Sequence, residues 1–144
     1  MKSIISTRIV NAAINQVYNA YSNPTILIKW WGPHGFTNRF NEFNFKENGL
    51  WDFIMIDELG KEYPNQIIYK EILPNKRIVA DHINAPLFQI EIDFKEITPL
   101  QTEIQFKMNF DDEVVYNALK NYVPEKNEEN FDRLERTLLI KQIE

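Results

Sequence analysis

The sequence predicts an α+β fold in which a curved antiparallel sheet of six to seven strands surrounds one long C-terminal helix. From residue 39 to residue 110, apolar and polar residues alternate with the period of two that is typical of strands. Apolar residues three and four apart mark two short stretches after the first strand and a longer one near the end. Such a sheet and helix bury their apolar surfaces most simply when the helix lies across the concave face.

The first third of the chain predicts one strand followed by two short helices. A strand is predicted over Lys2–Val10 and an amphipathic helix over Ile14–Ser22. This helix is expected to end at Asn23, because the residue before a proline is disfavoured in the helical conformation. A second short helix, Thr25–Trp31, is expected to end at the Gly-Pro pair that follows it.

The central region predicts a series of strands joined by tight turns. The Asn48-Gly49 pair is a strong hairpin signal, and the strand after it carries Trp51, Phe53 and Met55 on one face. The last two strands alternate apolar and polar side chains, which is typical of a sheet with one buried face. Of the other strands, the first is predicted to begin at Arg39, and another is predicted to end near Glu71. The last three are predicted to span Arg77–Ile83, Leu87–Ile97 and Thr102–Phe110.

The carboxyl-terminal segment returns to helical periodicity. A short helix is predicted over Asp112–Tyr122, followed by a polar loop around Pro124. Asn127 is the predicted N-cap of a long helix that reaches about Ile143, because asparagine is a preferred capping residue. The apolar stripe of this helix is predicted to consist of Phe131, Leu134, Leu138 and Leu139.

Length and composition exclude several classes of protein. A chain of 144 residues is expected to form a single domain over residues 1–144. The net charge is −5 and the basic residues are scattered, so we expect no nucleic-acid partner. The absence of cysteine excludes disulfides and thiolate chemistry. The sequence predicts neither a signal peptide nor a membrane helix, and we expect a cytoplasmic protein without membrane association.

The candidate ligand-binding residues are the inward-facing side chains of the sheet and the long helix. A filled core is the alternative interpretation of the same pattern. Binding sites also need a few polar groups in an apolar wall, and these are predicted to be Tyr69, Glu71 and His82. The apolar candidates are Trp51, Phe53, Met55, Phe88, Ile90, Phe106 and Met108 on strands, facing Phe131, Leu134 and Leu138.

The adjacent pair Trp30 and Trp31 should point in different directions from a short helix, so we do not expect both in the core. One interpretation makes Trp31, together with Phe36, a gate at the mouth of a cavity. The other is that both tryptophans dock the helix pair onto the edge of the sheet, since large aromatic side chains usually serve packing.

The sequence identifies no catalytic residue and predicts no metal or cofactor. His34 and His82 lie in different elements, and neither has the surrounding spacing of a metal site. No serine lies in a nucleophile elbow. Glu42 and Glu71 could act as acid and base if both faced the cavity. Enzymatic activity is therefore left open, with a non-enzymatic role preferred.

Three segments of the chain carry distinctive motifs. The first is Asn23-Pro24, followed by Lys29-Trp30-Trp31-Gly32-Pro33 and Gly35-Phe36. The second is the hairpin Glu47-Asn48-Gly49-Leu50-Trp51, and the third runs from Tyr69 to Val79. They resemble the second-helix signature, the Gly-x-Trp hairpin and the strand pair with tyrosine, Glu-Ile, proline and Arg-Leu-Val of the START-like superfamily, and within it of the homologues of the activator of the heat-shock chaperone ATPase.

This resemblance implies a helix-grip fold with a cavity between the sheet and the long helix. Members bind lipids, polyketides, hormones or other apolar molecules, and a few branches are cyclases or hydrolases. Two positions depart from the pattern. Ala13 replaces a common proline, and Ile67 replaces a frequent glycine on a cavity-facing strand. We expect the larger side chain of Ile67 to narrow the cavity.

Three functional hypotheses follow, for a monomer or a homodimer. The first is binding of an apolar small molecule, such as a lipid, in the cavity. The second is a stress-related activator of a chaperone ATPase, which predicts an exposed apolar patch around Trp30 and Phe36. The third is a cyclase or hydrolase that uses cavity carboxylates.

Overall fold

The computed structural model describes residues 1–143, with side chains through residue 141. Within that range the chain forms an antiparallel sheet and four helices, which confirms the predicted α+β class and the helix-grip architecture. None of the helices in this range is long and apolar enough to cross a membrane. The elements are β1 (Lys2–Val10), α1 (Ile14–Ser22), α2 (Pro24–Trp30), β2 (Thr37–Phe43), β3 (Leu50–Ile56), β4 (Glu62–Leu73), β5 (Arg77–His82), β6 (Phe88–Thr98), β7 (Gln101–Phe110), α3 (Glu113–Leu119) and α4 (Val123–Ile143).

The sheet has the strand order β1-β7-β6-β5-β4-β3-β2. Strands β2 to β7 pair with their neighbours in sequence, as short antiparallel connections require. β1 pairs instead with β7, from Lys2 opposite Phe110 to Val10 opposite Thr102. Bulges between Phe40 and Glu42, on β4 after Tyr69, and near the end of β6 bend their strands and give the sheet its curvature.

The core lies between the concave face of the sheet and α4. Three side chains of α4, Phe131, Leu134 and Leu138, are buried against it as the sequence predicts. The prediction for Leu139 is wrong, because 57% of this residue is exposed. Leu138 and Leu139 lie 100° apart around a helix axis, so only one of them can follow the buried face that Leu134 defines.

α4 begins at Val123, four residues earlier than predicted. Proline is tolerated in the first turn of a helix, where its missing N–H would have had no partner, so Pro124 does not delay the start. The prediction that Asn127 is the N-cap is therefore wrong. Asn127 lies inside the helix, and its Nδ2 is 3.2 Å from the Ser6 Oγ on β1.

Both tryptophans at the end of α2 are buried, contrary to the prediction. Trp30 is 1% exposed and Trp31 is 9% exposed. α2 ends at Trp30, and the backbone of Trp31 is extended, so the two side chains do not follow helical spacing. Trp30 Nε1 donates a hydrogen bond to the Ala20 carbonyl at 3.0 Å, and the two ring centroids are 5.6 Å apart. Both rings therefore join the core.

Arg8 connects the first strand to the last helix. Its guanidinium lies 2.8 Å from Glu128 and 2.9 Å from both Asp132 and Glu135 on successive turns of α4. Burial alone would lower the pKa of Arg8, but the hydrogen bonds to these carboxylates outweigh it and raise the pKa. The charged form of Arg8 is therefore stabilised where β1 meets α4.

Candidate functional site

A pocket of about 140 Å³ remains between the concave face of the sheet and the first turns of α4. We call it the sheet–helix pocket. The residues of α4 that line it, Lys126, Asn127 and Asn130, belong to the amino-terminal part of the helix. The apolar part of the lining consists of Trp31, Gly32, Pro33, Phe53, Met55, Ile67, Phe88, Ile90, Phe106 and Met108. Its polar part consists of Asn65, His82, Lys126, Asn127 and Asn130.

His82 lies at the end of β5 in the floor of this pocket and is 5% exposed. Its Nδ1 is 2.7 Å from the Pro86 carbonyl oxygen, and its Nε2 is 2.8 Å from Asn65 Oδ1. The Asn65 Nδ2 donates to the Tyr63 carbonyl at 2.8 Å, which fixes the amide with its oxygen toward the imidazole. The ring stacks on Phe88 with centroids 4.5 Å apart.

The hydrogen bonds of His82 favour its charged form, whereas its burial favours the neutral form. Two acceptor oxygens face its two ring nitrogens, and only the doubly protonated imidazolium can donate to both. Burial disfavours that charged form, and it outweighs the hydrogen bonds, so the pKa of His82 lies below its usual value. At neutral pH the pocket floor therefore holds an uncharged imidazole.

The two asparagines of α4 contribute amide groups to the rim of the pocket. Asn127 Nδ2 lies 3.2 Å from Ser6 Oγ and 3.8 Å from the Met108 sulfur. Asn130 Oδ1 accepts a hydrogen bond from the Gly32 N–H at 3.1 Å. Because the residues are three apart, both face the sheet on the same side of the helix. They add hydrogen-bonding groups at the edge of the pocket to those of His82 and Asn65.

The loop between α2 and β2 forms one wall of the pocket and is bound to α4. Arg133 Nη1 donates to the carbonyls of Trp31, Gly32 and Pro33 at 3.0 to 3.1 Å. Gly32 has a φ of 99°, and a Cβ at this position would lie 2.8 Å from the end of the Met55 side chain. Glycine therefore suits both the backbone conformation and the close approach of the loop to the sheet.

A second, smaller cavity of about 20 Å³ lies deeper in the core. We call it the inner cavity, and its volume suits about one water molecule. Ile67, Trp31 and Ile90 line both this cavity and the sheet–helix pocket, so these three side chains lie between the two spaces. Burial raises the pKa of the Tyr21 and Tyr69 phenols, which line the inner cavity. Trp51 Nε1 is buried there without a hydrogen-bond partner among the residues described.

The structure brings most of the sequence-predicted site residues together, but not all. Eight line the sheet–helix pocket: Trp31, Phe53, Met55, His82, Phe88, Ile90, Phe106 and Met108. Trp51 and Tyr69 line the inner cavity, and Phe131, Leu134 and Leu138 pack in the core beside the pocket. Phe36 is half-buried next to Tyr63, and Glu71 forms an ion pair with Arg77 at 3.1 Å. Neither lines the sheet–helix pocket or the inner cavity.

Sequence reasoning missed the amide groups of the pocket. Asn65 lies on β4 two residues before Ile67, on the same face of the strand, and this spacing could have indicated it. Asn127 was missed because the start of α4 was placed too late, and Asn130 because only the apolar stripe of the helix was assigned to the site. No cluster of three or more histidine or acidic residues suited to a metal ion occurs within the described part of the chain.

Comparison with known proteins agrees with this architecture. The family model for "Activator of Hsp90 ATPase homolog 1-like protein" matches residues 11–139. Among curated proteins, no significant match was found.

Several solved structures share the fold. A protein from Arthrobacter aurescens superposes with a TM-score of 0.87 at 15% identity, covering 94% of this chain and 85% of that one. Protein NE0264 from Nitrosomonas europaea gives 0.85 at 16% identity, with 99% and 97% covered. The AHSA1 protein of Silicibacter pomeroyi gives 0.79 at 13% identity, with 97% and 99% covered. On the strength of the family match and the shared fold, the chain belongs to the activator of Hsp90 ATPase homolog 1-like family of the START-like superfamily.

Proposed function

We propose that this protein binds a small apolar molecule in the sheet–helix pocket. The observation that carries the proposal is a mostly apolar pocket with a few polar groups, which is the usual composition of a small-molecule site. The amides of Asn127 and Asn65 and the imidazole of His82 are the groups that would orient a polar substituent of the ligand.

The volume of the pocket limits the size of the buried part of the ligand. About 140 Å³ is close to the engineered cavity of about 150 Å³ that holds benzene in another protein. A single aromatic ring or a short branched chain fits this space, whereas a long acyl chain does not. We therefore propose a monocyclic aromatic compound with one polar substituent, rather than a lipid, as the ligand class.

The expected affinity for a bare ring is weak. A ring of this kind buries on the order of 200 Å². At about 25 cal/mol per Å² this contributes about 5 kcal/mol, which corresponds to a Kd of roughly 0.2 mM before the entropic cost of association. The measurement must therefore detect binding at millimolar ligand concentrations.

The test is a titration of the amide NMR spectrum with benzene, phenol and decanoate. We expect phenol and benzene to shift the resonances of pocket residues, and decanoate to have little effect. Ile90→Phe should abolish these shifts by filling the pocket, whereas Ile97→Phe, the same change at an exposed position of the same strand, should leave them intact. Equal shifts in both variants, or no shift with any probe, would exclude this site.

A second comparison tests the polar rim. Replacing Asn127 by alanine removes an amide from the rim while the apolar floor is kept. Phenol should then bind several-fold more weakly, since a hydrogen bond contributes about 1 kcal/mol, and benzene should bind as before. An equal loss for both probes would indicate a general change of the pocket instead of a lost hydrogen bond.

The two other hypotheses have less support. Activation of a chaperone ATPase predicts an exposed apolar patch around Trp30 and Phe36, but Trp30 is buried in the core and Phe36 is half-buried beside Tyr63. A carboxylate-dependent cyclase or hydrolase needs Glu42 and Glu71 to converge, but Glu42 is exposed on β2 and Glu71 is paired with Arg77. Neither glutamate lines the sheet–helix pocket.

A further inference from the structure

A groove of about 380 Å³ lies between α2 and α4, away from the sheet–helix pocket. We call it the basic groove. Its lining consists of Lys29, Arg133, Arg136, Thr137, Ile140 and Lys141. Four of these six side chains are cationic, although the chain as a whole carries a net charge of −5. The groove is thus a local concentration of positive charge on an acidic protein.

The arginines of the groove differ from the other arginines of the chain. Arg8, Arg39 and Arg77 each form an ion pair with at least one carboxylate. Within residues 1–143 no such pair involves Arg133 or Arg136, and both line the basic groove. The carboxylates on the neighbouring turns of α4, Asp132 and Glu135, are bound to Arg8 instead. Among the residues described, the charges of Arg133 and Arg136 are therefore not neutralised by a carboxylate of the protein.

The lack of a carboxylate partner affects the hydrogen bonds and the pKa of Arg133. It donates hydrogen bonds to four backbone carbonyls, those of Lys29, Trp31, Gly32 and Pro33, none of which carries a formal charge. Burial lowers the pKa of Arg133, and the charge of Arg136 lowers it further. An anion in the groove would reduce this repulsion between the two guanidinium groups.

We propose that the basic groove binds a phosphate-bearing anion. A phosphate monoester carries a charge between −1.5 and −2 at neutral pH and three acceptor oxygens, which suits several cations around one centre better than a single carboxylate does. Arg136 and Lys29 would bind the phosphate oxygens, and the Thr137 hydroxyl would donate to them. The volume exceeds that of a bare phosphate, so the group belongs to a larger molecule, either a soluble metabolite or the headgroup of a lipid.

Two binding measurements distinguish these sources. Calorimetric titration with pyrophosphate tests a soluble phosphate compound, and co-sedimentation with phosphatidylcholine vesicles that contain phosphatidic acid tests a lipid headgroup. Saturable binding of pyrophosphate supports a soluble ligand, whereas binding to the acidic vesicles alone supports a headgroup. Succinate and a glutamate-rich peptide serve as carboxylate probes, and both should bind much more weakly than the phosphate probe.

The double variant Lys29→Gln/Arg136→Gln should weaken binding about tenfold, since two exposed charge interactions are lost. Arg133 is left unchanged because it holds the loop between α2 and β2. The control Arg39→Gln/Lys95→Gln makes the same change in net charge at exposed positions outside the groove, and it should bind like the wild type. Lack of binding to both phosphate probes, equal binding by the two double variants, or stronger binding of the carboxylate probes would overturn the proposal.

Discussion

The buried imidazole of His82 makes stability depend on pH. Its pKa is lowered in the folded protein, so as the pH falls the unfolded chain takes up a proton before the folded protein does. The free energy of unfolding should therefore decrease as the pH falls below about 6.5, the ordinary pKa of histidine.

Urea unfolding of the wild type and of His82→Gln at about pH 7.5 and about pH 5.5 measures this effect. The wild type should lose more stability between the two conditions than the variant does. The exposed His34 is present in both proteins, so it cancels in the comparison. The same pH dependence in the two proteins would show that His82 is not the responsible group.

Ile67, with Trp31 and Ile90, separates the sheet–helix pocket from the inner cavity, and truncation of Ile67 should join the two spaces. Ile67→Ala should lower the free energy of unfolding by about 2–5 kcal/mol, because it removes buried methylene groups and leaves a void. It should also admit bicyclic compounds such as naphthalene, which the wild type excludes. Urea unfolding and an NMR titration with naphthalene check the two effects, and an unchanged size limit would count against the position assigned to Ile67.

At the level of single residues, the sequence predicts apolar lining better than polar lining. The alternation along the strands identifies Phe53, Ile90 and Phe106 because inward-facing positions follow the period of two. Asn127 has no such signature. Asparagine at the end of a polar loop is an ordinary sign of a helix start, and only the structure shows that this residue faces the sheet from inside α4.

Among the elements, α4 buries three side chains against the sheet, and two leucines of this helix test that packing. Leu134→Ala, at a residue with 0% exposure, should destabilise the protein by about 2–5 kcal/mol. Leu139→Ala removes the same atoms from an exposed position of the same helix and should change stability by less than about 0.5 kcal/mol. Urea unfolding of both variants gives the comparison, and similar losses in the two would mean that α4 is not seated as described.

The elements that the sequence predicts well are those with local signals. The Asn48-Gly49 turn and the alternation along β6 and β7 fix both strand class and hairpin partners. The start of α4 is less well predicted, because two competing signals, Pro124 and Asn127, lie one turn apart.

At the scale of the whole molecule, no local sequence pattern predicts that the first strand pairs with the last strand and contacts the last helix. β1 pairs with β7 across some hundred residues of sequence, and Arg8 then ties β1 to α4. Contacts of such long sequence separation depend on the complete fold, and they favour slow folding.

Arg8→Met should therefore destabilise the whole protein. It leaves Glu128, Asp132 and Glu135 close together without a cation, and we expect a loss of about 1–3 kcal/mol. Part of that loss should be recovered in high salt, which screens the repulsion. Arg39→Met breaks one exposed pair with Glu62 and should cost less than about 1 kcal/mol. Urea unfolding of both variants at low and high salt is the measurement, and equal losses would contradict the role of Arg8.

Arg133 has one more consequence, because its guanidinium lines the basic groove while it holds the carbonyls of Trp31, Gly32 and Pro33 in the wall of the sheet–helix pocket. An anion in the basic groove that draws the Arg133 guanidinium outward would loosen this wall. An aromatic ligand in the sheet–helix pocket that presses against the wall would in turn displace the guanidinium. Thermodynamic linkage requires the two effects to be equal, so the factor by which pyrophosphate alters the affinity for phenol must also be the factor by which phenol alters the affinity for pyrophosphate.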